Sequence, residues 1–233
     1  MRAGRRLGLI LFAAIIGSSA AAADLVFGAF DFEPYFIVDQ DSFALTGGIW
    51  AEQARQLFAE AGLSYVAKGY PVRRLYKNIA SGETNVIFGT IANAEYAGKA
   101  LFSKEPIQVL TLNVYFVGTT ASVDSVEALS GKSVAVIRGY SYGGLIASLR
   151  ERADVEEITS DEGGLAMLAT GRVSYFLDYA EGVEAPLASH PMPDLNHRMI
   201  GKVPIHIVIS KATPNADEVA RRLDEAYSRL PRK

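Results

Sequence analysis

A strand-helix-strand module occurs twice in this chain, and this repeat constrains the fold more than any other feature. In its first copy, residues 61–90, a short β-prone run at 63–67 precedes a helix-like stretch at 71–80. Gly82 follows, and then the apolar run Val86-Ile87-Phe88. The glycine lies where a helix C-cap belongs, because glycine readily adopts the left-handed conformation that ends a helix.

The second copy, residues 154–179, has the same order of features. A β-prone run at 155–158 precedes a helix-like stretch at 162–169, and Gly171 separates that stretch from an apolar strand at 173–177. Seven residues after each glycine the apolar run gives way to a different kind of residue, Gly89 in one copy and Asp178 in the other.

Each copy follows a further strand and helix. These lie at residues 25–29 and 49–61 for the first copy and at 133–137 and 145–150 for the second. Strands that alternate with helices of this length predict an α/β fold with parallel sheets flanked by helices. Two such units predict two lobes.

Two apolar stretches, 110–117 and 203–209, lie outside the modules and are β-prone. We interpret them as hinge crossovers that carry the chain from lobe one to lobe two and back. The predicted division is residues 24–112 plus 204–233 for lobe one, and 113–203 for lobe two.

The C-terminal stretch reads as a helix that packs back onto lobe one. Residues 214–217 form a helix start signal, and four apolar side chains share one face: Val219, Leu223, Ala226 and Leu230.

Ligands of open α/β sheets bind beyond the carboxyl ends of the strands. Four loops are predicted to lie there, at residues 30–35, 89–93, 139–143 and 178–181. If the lobes face each other, these loops line one cleft.

Residues 1–23 have the layout of an export signal. Three arginines precede the apolar run 7–16, and small residues follow at 21–23. Without these arginines, 20 basic side chains remain against 26 acidic ones, a net charge near −6. This charge argues against binding to nucleic acid or an anionic membrane. The chain has no cysteine, so it has no disulfide and no cysteine-borne lipid. We expect an unanchored periplasmic protein.

With these features in this order, the chain resembles a periplasmic solute-binding protein of family 3, the amino-acid-binding group that serves ABC importers. The resemblance covers nearly the whole chain after residue 23. It rests on the following residues: Pro34-Tyr35, Thr46-Gly47-Gly48, 78–82 with 86–88, Leu101-Phe102-Ser103 with Pro106, 126–132, Gly139-Tyr140-Ser141, and 171–178.

The resemblance implies the bilobal type II fold, an α/β fold in which a small polar solute is held by closure of the lobes, without catalysis. It implies delivery of that solute to an ABC permease in the inner membrane. We expect a monomer without cofactor or metal. The predicted ligand-binding residues are Tyr35, Arg74, Gly89, Thr90, Asn93, Tyr140, Ser141 and Asp178.

In the family, an arginine past the strand that corresponds to residues 86–88 binds the ligand's α-carboxylate through a bidentate pair. Here the available positions are Glu95, Tyr96 and Ala97, and none is a cation. The family's second anchor, an acid that meets the ligand's amino group, is present as Asp178.

Three arginines are candidate substitutes for the missing carboxylate anchor: Arg73, Arg74 and Arg138. Backbone N–H groups at the helix start after Ser141 are a further candidate. Aromatic residues cluster on the four loops or beside them and can stack on a planar or cationic ligand. A cationic or amine ligand, or an unusual amino acid, is compatible with this set.

Two enzymatic alternatives remain open. The segment 139–143 matches G-x-S-x-G between a strand and a helix, the context of a hydrolase nucleophile, and Asp178 and a histidine follow in the required order. No oxyanion segment of the HGGG type precedes it. Some proteins with the bilobal fold are dehydratases of small carboxylic acids, for which Glu181 is a candidate acid.

A third alternative is a sensor that presents the liganded protein to a membrane receptor, since sensing and transport use the same clamp. A metal site would depend on His190, His197 and His206, which lack the close spacing of zinc ligands. We interpret them as hydrogen-bonded or solvated histidines.

Overall fold

The computed structural model describes residues 24–118 and 123–231. The predicted export signal, residues 1–23, lies outside these described residues. Within them, no helix combines the length and the apolar character needed to cross a membrane.

Strands and helices alternate along the described chain. The strands are β1 (Leu25–Ala29), β2 (Ile37–Val38), β3 (Leu45–Gly47), β4 (Tyr65–Gly69), β5 (Val86–Gly89), β6 (Ala100–Phe102), β7 (Gln108–Val117), β8 (Ser133–Ile137), β9 (Asp154–Ile158), β10 (Tyr175–Tyr179) and β11 (Leu195–Ser210). The α-helices are α1 (Ile49–Ala61), α2 (Val72–Ser81), α3 (Leu145–Arg152), α4 (Asp161–Ala169), α5 (Ala180–Ser189) and α6 (Ala216–Arg229). Short 3-10 helices occupy Glu127–Leu129 and Tyr142–Gly144.

The first repeat copy and its flanking elements form lobe one, in which β4, β1 and β5 lie side by side and parallel. Helix α2 ends at Gly82, whose backbone is left-handed with φ 89°, as the sequence predicts. Helix α1 buries Trp50, Leu57 and Phe58 against the sheet. The ring of Phe27 on β1 packs 5.2 Å from that of Phe88 on β5, so aromatic residues form much of this core.

The second copy forms lobe two, in which β10, β8 and β9 are parallel. Helix α4 begins after Ser160, whose hydroxyl accepts a hydrogen bond from Gly163 N at 3.2 Å and so caps the helix. Gly171 has φ 66° and follows this helix, which confirms its place at the helix end.

The two lobes are joined by β7 and β11, which pair antiparallel with each other. Strand β11 has 16 residues, shifts register between Met199 and Gly201, and lies between β5 and β7 in the sheet. The sequence predicted only 203–209 of it, because 195–202 is mostly polar and exposed. The boundaries of the predicted lobes remain a prediction.

The α/β bilobal fold predicted from the repeat is confirmed, and so is the apolar face of α6, which buries Val219, Leu223 and Ala226 and packs on α1. The loop predicted at 178–181 is wrong, because β10 continues to Tyr179 and α5 begins at once. Helix α5 was not predicted from the sequence because it contains Gly182 and Pro186, residue types that usually interrupt helices.

Candidate functional site

The carboxyl ends of β1, β5, β8 and β10 meet where the two lobes contact each other. A cavity of about 30 Å³ lies there, and we call it the small cavity. It has room for about two water molecules but not for a solute. Its lining includes four of the predicted ligand-binding residues: Gly89, Thr90, Tyr140 and Ser141.

Aromatic side chains from both lobes occupy the cleft around the small cavity. The ring of Phe32 in lobe one lies 5.9 Å from that of Tyr140 and 6.1 Å from that of Tyr179, both in lobe two. Burial raises the pKa of both tyrosines well above 10, with further contributions from the nearby acid Asp178. The phenols are therefore neutral.

The remaining four predicted residues have different surroundings. Tyr35 packs on Trp50, with ring centroids 4.4 Å apart, and Arg74 is exposed on α2. Asn93 is buried, and its Oδ1 accepts a hydrogen bond from Glu95 N at 3.0 Å. Asp178 is buried in β10. None of these four lines the small cavity.

A second cavity, of about 630 Å³, lies between the same lobes, and we call it the large cavity. Its volume is within the range of small-molecule sites. Lobe one contributes the hairpin region up to Phe43 and the start of α2, and lobe two contributes the start of α4 and one side of α5 from Gly182 to its C-terminal end. Phe30, Phe32 and Tyr140 line both cavities and so form the wall between them.

The lining of the large cavity is predominantly acidic. The acidic residues in this lining are Asp31, Glu33, Asp161 and Glu162, and Arg138 is among its basic residues. Asp31 is fixed in place, because its carboxylate accepts hydrogen bonds from Val38 N at 3.0 Å and Gln40 Nε2 at 2.9 Å. An acidic lining of this kind favours a cationic solute.

The two carboxyl oxygens of Asp178 have different surroundings. Its Oδ1 accepts a hydrogen bond from Tyr179 N at 2.7 Å, whereas its Oδ2 meets no N–H or O–H donor among the described residues. Burial raises the pKa of Asp178 well above the ordinary value, and the neighbouring Asp161 raises it further.

Sequence reasoning missed Asp161. It follows the N-cap Ser160 directly, at the carboxyl end of β9. The rule that ligands bind beyond the carboxyl ends of parallel strands would have selected it, had the rule been applied to all strands of lobe two.

The three arginines considered as carboxylate anchors are not equivalent. Arg73 in lobe one reaches Glu157 in lobe two, with Nη2 and Oε1 2.7 Å apart, and Arg138 Nε lies 3.4 Å from the same carboxylate. Arg150 also binds Glu157. Arg74 is not part of the lining of either cavity. Two of the three candidate arginines thus pair with Glu157, and with Arg150 they form an ion cluster that joins the two lobes.

The loop after β5 is held by Tyr96, one of the three positions at which the family resemblance allows an arginine. Tyr96 is fully buried, and its hydroxyl donates a hydrogen bond to Thr90 O at 2.7 Å. The same hydroxyl lies 2.8 Å from the position that a Cβ on Gly89 would take. Tyr96 therefore folds the loop inward and fixes Thr90.

Close backbone contacts hold the lobes together. A Cβ on Gly144 would lie 3.1 Å from Ala92 O, and a Cβ on Gly139 would lie 3.1 Å from Val72 Cβ. Each glycine has φ 90°, which favours glycine in any case. The structure is thus a closed conformation.

Ser141 of the G-x-S-x-G segment and Tyr76 both line the small cavity. The buried histidine His206 is paired through Nδ1 with Ser103 O at 2.9 Å. No described hydrogen bond joins Ser141 to a histidine. Glu181 is the candidate acid of the dehydratase alternative. Its carboxylate oxygens accept hydrogen bonds from Thr111 N at 2.9 and 3.1 Å, so the side chain is bound to β7.

Comparison with known proteins supports the bilobal fold of this chain. No family model and no curated protein sequence matches it. Among solved structures, it is similar to a histidine kinase sensor domain with similarity to periplasmic binding proteins (TM-score 0.72, 18% identity, covering 88% of this chain and 89% of that one). It is also similar to an ancestral arginine-binding protein bound to arginine (0.68, 18%, 89% and 92%). A third similar structure is the GluR0 ligand-binding core with L-glutamate (0.68, 19%, 90% and 95%). At these identities the similarity establishes the fold.

Proposed function

We propose that this chain is a solute-binding protein of family 3 that captures an amino-acid-like or amine compound between its lobes and delivers it to an ABC importer. The observation that carries the proposal is the buried acid Asp178 at the end of β10, whose Oδ2 has no hydrogen-bond donor among the described residues. A buried carboxyl group without a cationic partner is costly unless it serves a ligand or is protonated.

Closure of the lobes is the proposed working step. The close approaches at Gly139 and Gly144 and the ion pair between Arg73 and Glu157 form only when the lobes meet. A solute that contacts both lobes favours this closed state over an open one and shifts the population toward it. The lobe boundaries that we assign to this motion are 24–112 plus 204–233 and 113–203.

The proposed contacts are those predicted from the sequence: Tyr35, Arg74, Gly89, Thr90, Asn93, Tyr140, Ser141 and Asp178. Gly89, Thr90, Tyr140 and Ser141 lie together around the small cavity, and Tyr140 also lines the large cavity, which has room for a solute. We also propose that the protein is a periplasmic monomer that is exported by residues 1–23. In this proposal it uses no metal or cofactor and catalyses no reaction.

A sensor role is the second candidate, favoured by the similarity to a histidine kinase sensor domain and to the VFT2 domain of Bordetella pertussis BvgS. In this case the closed protein docks on a membrane receptor instead of a permease. Genes for a permease and an ATPase next to this one favour uptake, and a gene for a sensor kinase favours signalling.

A thermal-shift screen of amino acids, polyamines, small carboxylates and sugars tests the proposed function. A solute at a hundredfold excess over its Kd stabilises the folded state by about 2.7 kcal/mol, which raises Tm by roughly 5–10 °C for a chain of this size. If no compound in these four classes raises Tm, the proposal is wrong. Hydrolysis of an ester or dehydration of a cyclic carboxylate by the purified protein would favour an enzyme instead.

A second experiment tests the missing carboxylate anchor. The double variant Arg73→Ala/Arg74→Ala removes two of the three candidate arginines, and Asp217→Asn on α6 serves as a distant control. Tight binding of a standard α-amino acid that survives the double substitution would contradict a role for these arginines as anchors.

A further inference from the structure

Three arginines surround a single carboxylate beside the large cavity. Arg73 and Arg150 bind the same oxygen of Glu157, Oε1, whereas Arg138 Nε lies 3.4 Å from Oε2. A carboxylate satisfies about one guanidinium, because its two oxygens match two parallel N–H groups of one arginine. The cluster therefore carries an excess of positive charge, and most of its N–H donors are left for another acceptor.

Arg138 has the weakest contact with Glu157 of the three. A charge-assisted hydrogen bond between a guanidinium and a carboxylate is about 2.7–2.9 Å long, and the contact of Arg138 is longer, at 3.4 Å. The Arg138 side chain is 58% exposed, and ion pairs between exposed side chains contribute little to stability. Arg138 can therefore exchange Glu157 for the carboxylate of a solute with little loss of stability.

Arg138 is also the arginine of this cluster that borders space for a solute. It lines the large cavity, whereas Arg73 and Arg150 are not part of that lining. Its backbone is fixed, because Arg138 N donates a hydrogen bond to Ile158 O at 2.8 Å and so extends the pairing of β8 with β9. The wall of the large cavity thus contains a guanidinium that is attached to a rigid strand end of lobe two.

Closure of the lobes favours the exchange. The start of α2 packs against the turn after β8, where a Cβ on Gly139 would lie 3.3 Å from Arg73 Cγ. In this position Arg73 Nη2 lies 2.7 Å from Glu157 Oε1. Glu157 then has Arg73 and Arg150 as close partners, which leaves Arg138 for a solute.

The rest of the lining suits an amine in the same solute. Asp31 and Glu33 of lobe one and Asp161 and Glu162 of lobe two line the cavity together with Arg138. The acids attract an ammonium group, and a guanidinium among them attracts a carboxylate. A solute with both charges satisfies both kinds of side chain, whereas a simple amine would leave the guanidinium without an anion.

From these observations we infer that Arg138 binds a carboxylate of the solute, that Glu157 competes with this carboxylate for Arg138, and that the ligand is an amine that also carries a carboxylate. The family resemblance implies a carboxylate anchor in the loop after β5 in lobe one, and here the anchor lies in lobe two instead. The inference rests on the proposed function and names the anchor and the ligand class of the same cleft.

Isothermal titration with matched ligand pairs tests the ligand class. The pairs are lysine and cadaverine, arginine and agmatine, and phenylalanine and phenethylamine, whose members differ by one carboxylate. We expect the amino acid of the best-binding pair to bind at least tenfold more tightly than its amine. Equal binding of the two members, or tighter binding of the amine, would overturn the ligand class.

Substitutions in the ion cluster test the anchor through the ratio of the two Kd values in that pair. Arg138→Gln removes the guanidinium, and we expect the ratio to fall to within threefold of one. Arg150→Gln is the matched control and should leave the ratio unchanged, because Arg150 binds the same carboxylate but is not part of the cavity lining. Glu157→Gln removes the competing acid and should raise the ratio at least twofold.

The ratio separates an anchor from a structural role, since a change in folding or in lobe closure affects both members of a pair alike. A wild-type ratio in Arg138→Gln would overturn the inference and leave the proposed function standing. A ratio that does not rise in Glu157→Gln would overturn the competition between the two carboxylates. Binding of no compound in either screen would instead refute the proposed function, and the inference with it.

Circular dichroism melts establish that each variant is folded. If Arg138→Gln does not fold, Arg138→Lys takes its place. Lysine keeps the charge but cannot form the bidentate pair, so the ratio should fall at least threefold. An unchanged ratio in this variant would overturn the inference in the same way.

Discussion

The pH dependence of stability offers a direct test of the protonated carboxyl at Asp178. An unfolded aspartate has a pKa of about 3.9, and burial raises the pKa of Asp178 in the folded protein well above that value. Between the two pKa values the folded state binds one more proton than the unfolded state. The free energy of unfolding therefore falls as pH rises, by up to about 1.4 kcal/mol per pH unit, and levels off above the folded pKa.

Asp178→Asn removes this proton and should remove its share of the pH dependence. We expect the variant to gain stability relative to the wild type as pH rises above about 4, with a slope approaching 1.4 kcal/mol per pH unit. Urea unfolding followed by circular dichroism at half-unit steps from pH 4.5 to 8 measures the difference. Asp217→Asn, an exposed acid in the first turn of α6, is the matched control and should follow the wild-type profile.

A constant difference between Asp178→Asn and the wild type across this range would refute the reasoning. It would mean that Asp178 is ionised in the folded protein at every pH tested.

Three further substitutions, the first with a matched control, test packing, hydrogen bonding and the contact between the lobes, each by urea unfolding. Gly164→Ala places a methyl group 2.7–2.8 Å from three ring atoms of a core phenylalanine, so it should lower the free energy of unfolding by about 1–3 kcal/mol. The control Gly163→Ala is unobstructed and should raise the free energy of unfolding by about 0.5–1 kcal/mol through helix propensity. Equal effects of the two substitutions would contradict the packing of α4. Tyr96→Phe leaves a buried carbonyl in the loop after β5 without its donor and should cost about 1–3 kcal/mol; an unchanged midpoint would contradict that bond. Arg73→Ala breaks the exposed pair with Glu157 and should cost less than about 1 kcal/mol, with a smaller effect in high salt; a larger loss would mean that the pair is desolvated.

The fold was predictable because local signals agree with it. Gly82 and Gly171 end their helices as expected, and the apolar runs of β5 and β8 begin at the predicted residues. The elements that were not predicted depend on contacts between residues that are distant in the sequence. The polar half of β11 is a strand because β7 lies beside it, and α5 is a helix despite Gly182 and Pro186 because it packs on lobe two.

The candidate site was predictable in position but not in content. The strand ends selected Thr90, Tyr140 and Asp178, which the structure brings to the junction of the lobes. Which acid borders the cavity depends on how α4 and β10 pack together, and local pattern does not encode that packing. In the same way, Tyr96 reads as one polar loop residue among several until its burial shows that it fixes the loop.

The position of β11 determines when this protein can fold as it is made. Lobe one consists mostly of the first hundred residues, yet its sheet places β11 directly beside β5, and β11 ends at Ser210. A ribosome releases the chain from its N-terminus, so most of the sequence has emerged before lobe one can complete its sheet. Until then β5 has an unpaired, apolar edge, which slows folding and exposes the nascent chain to aggregation and to chaperones. The sheet of lobe one is therefore completed only after β11 has been made.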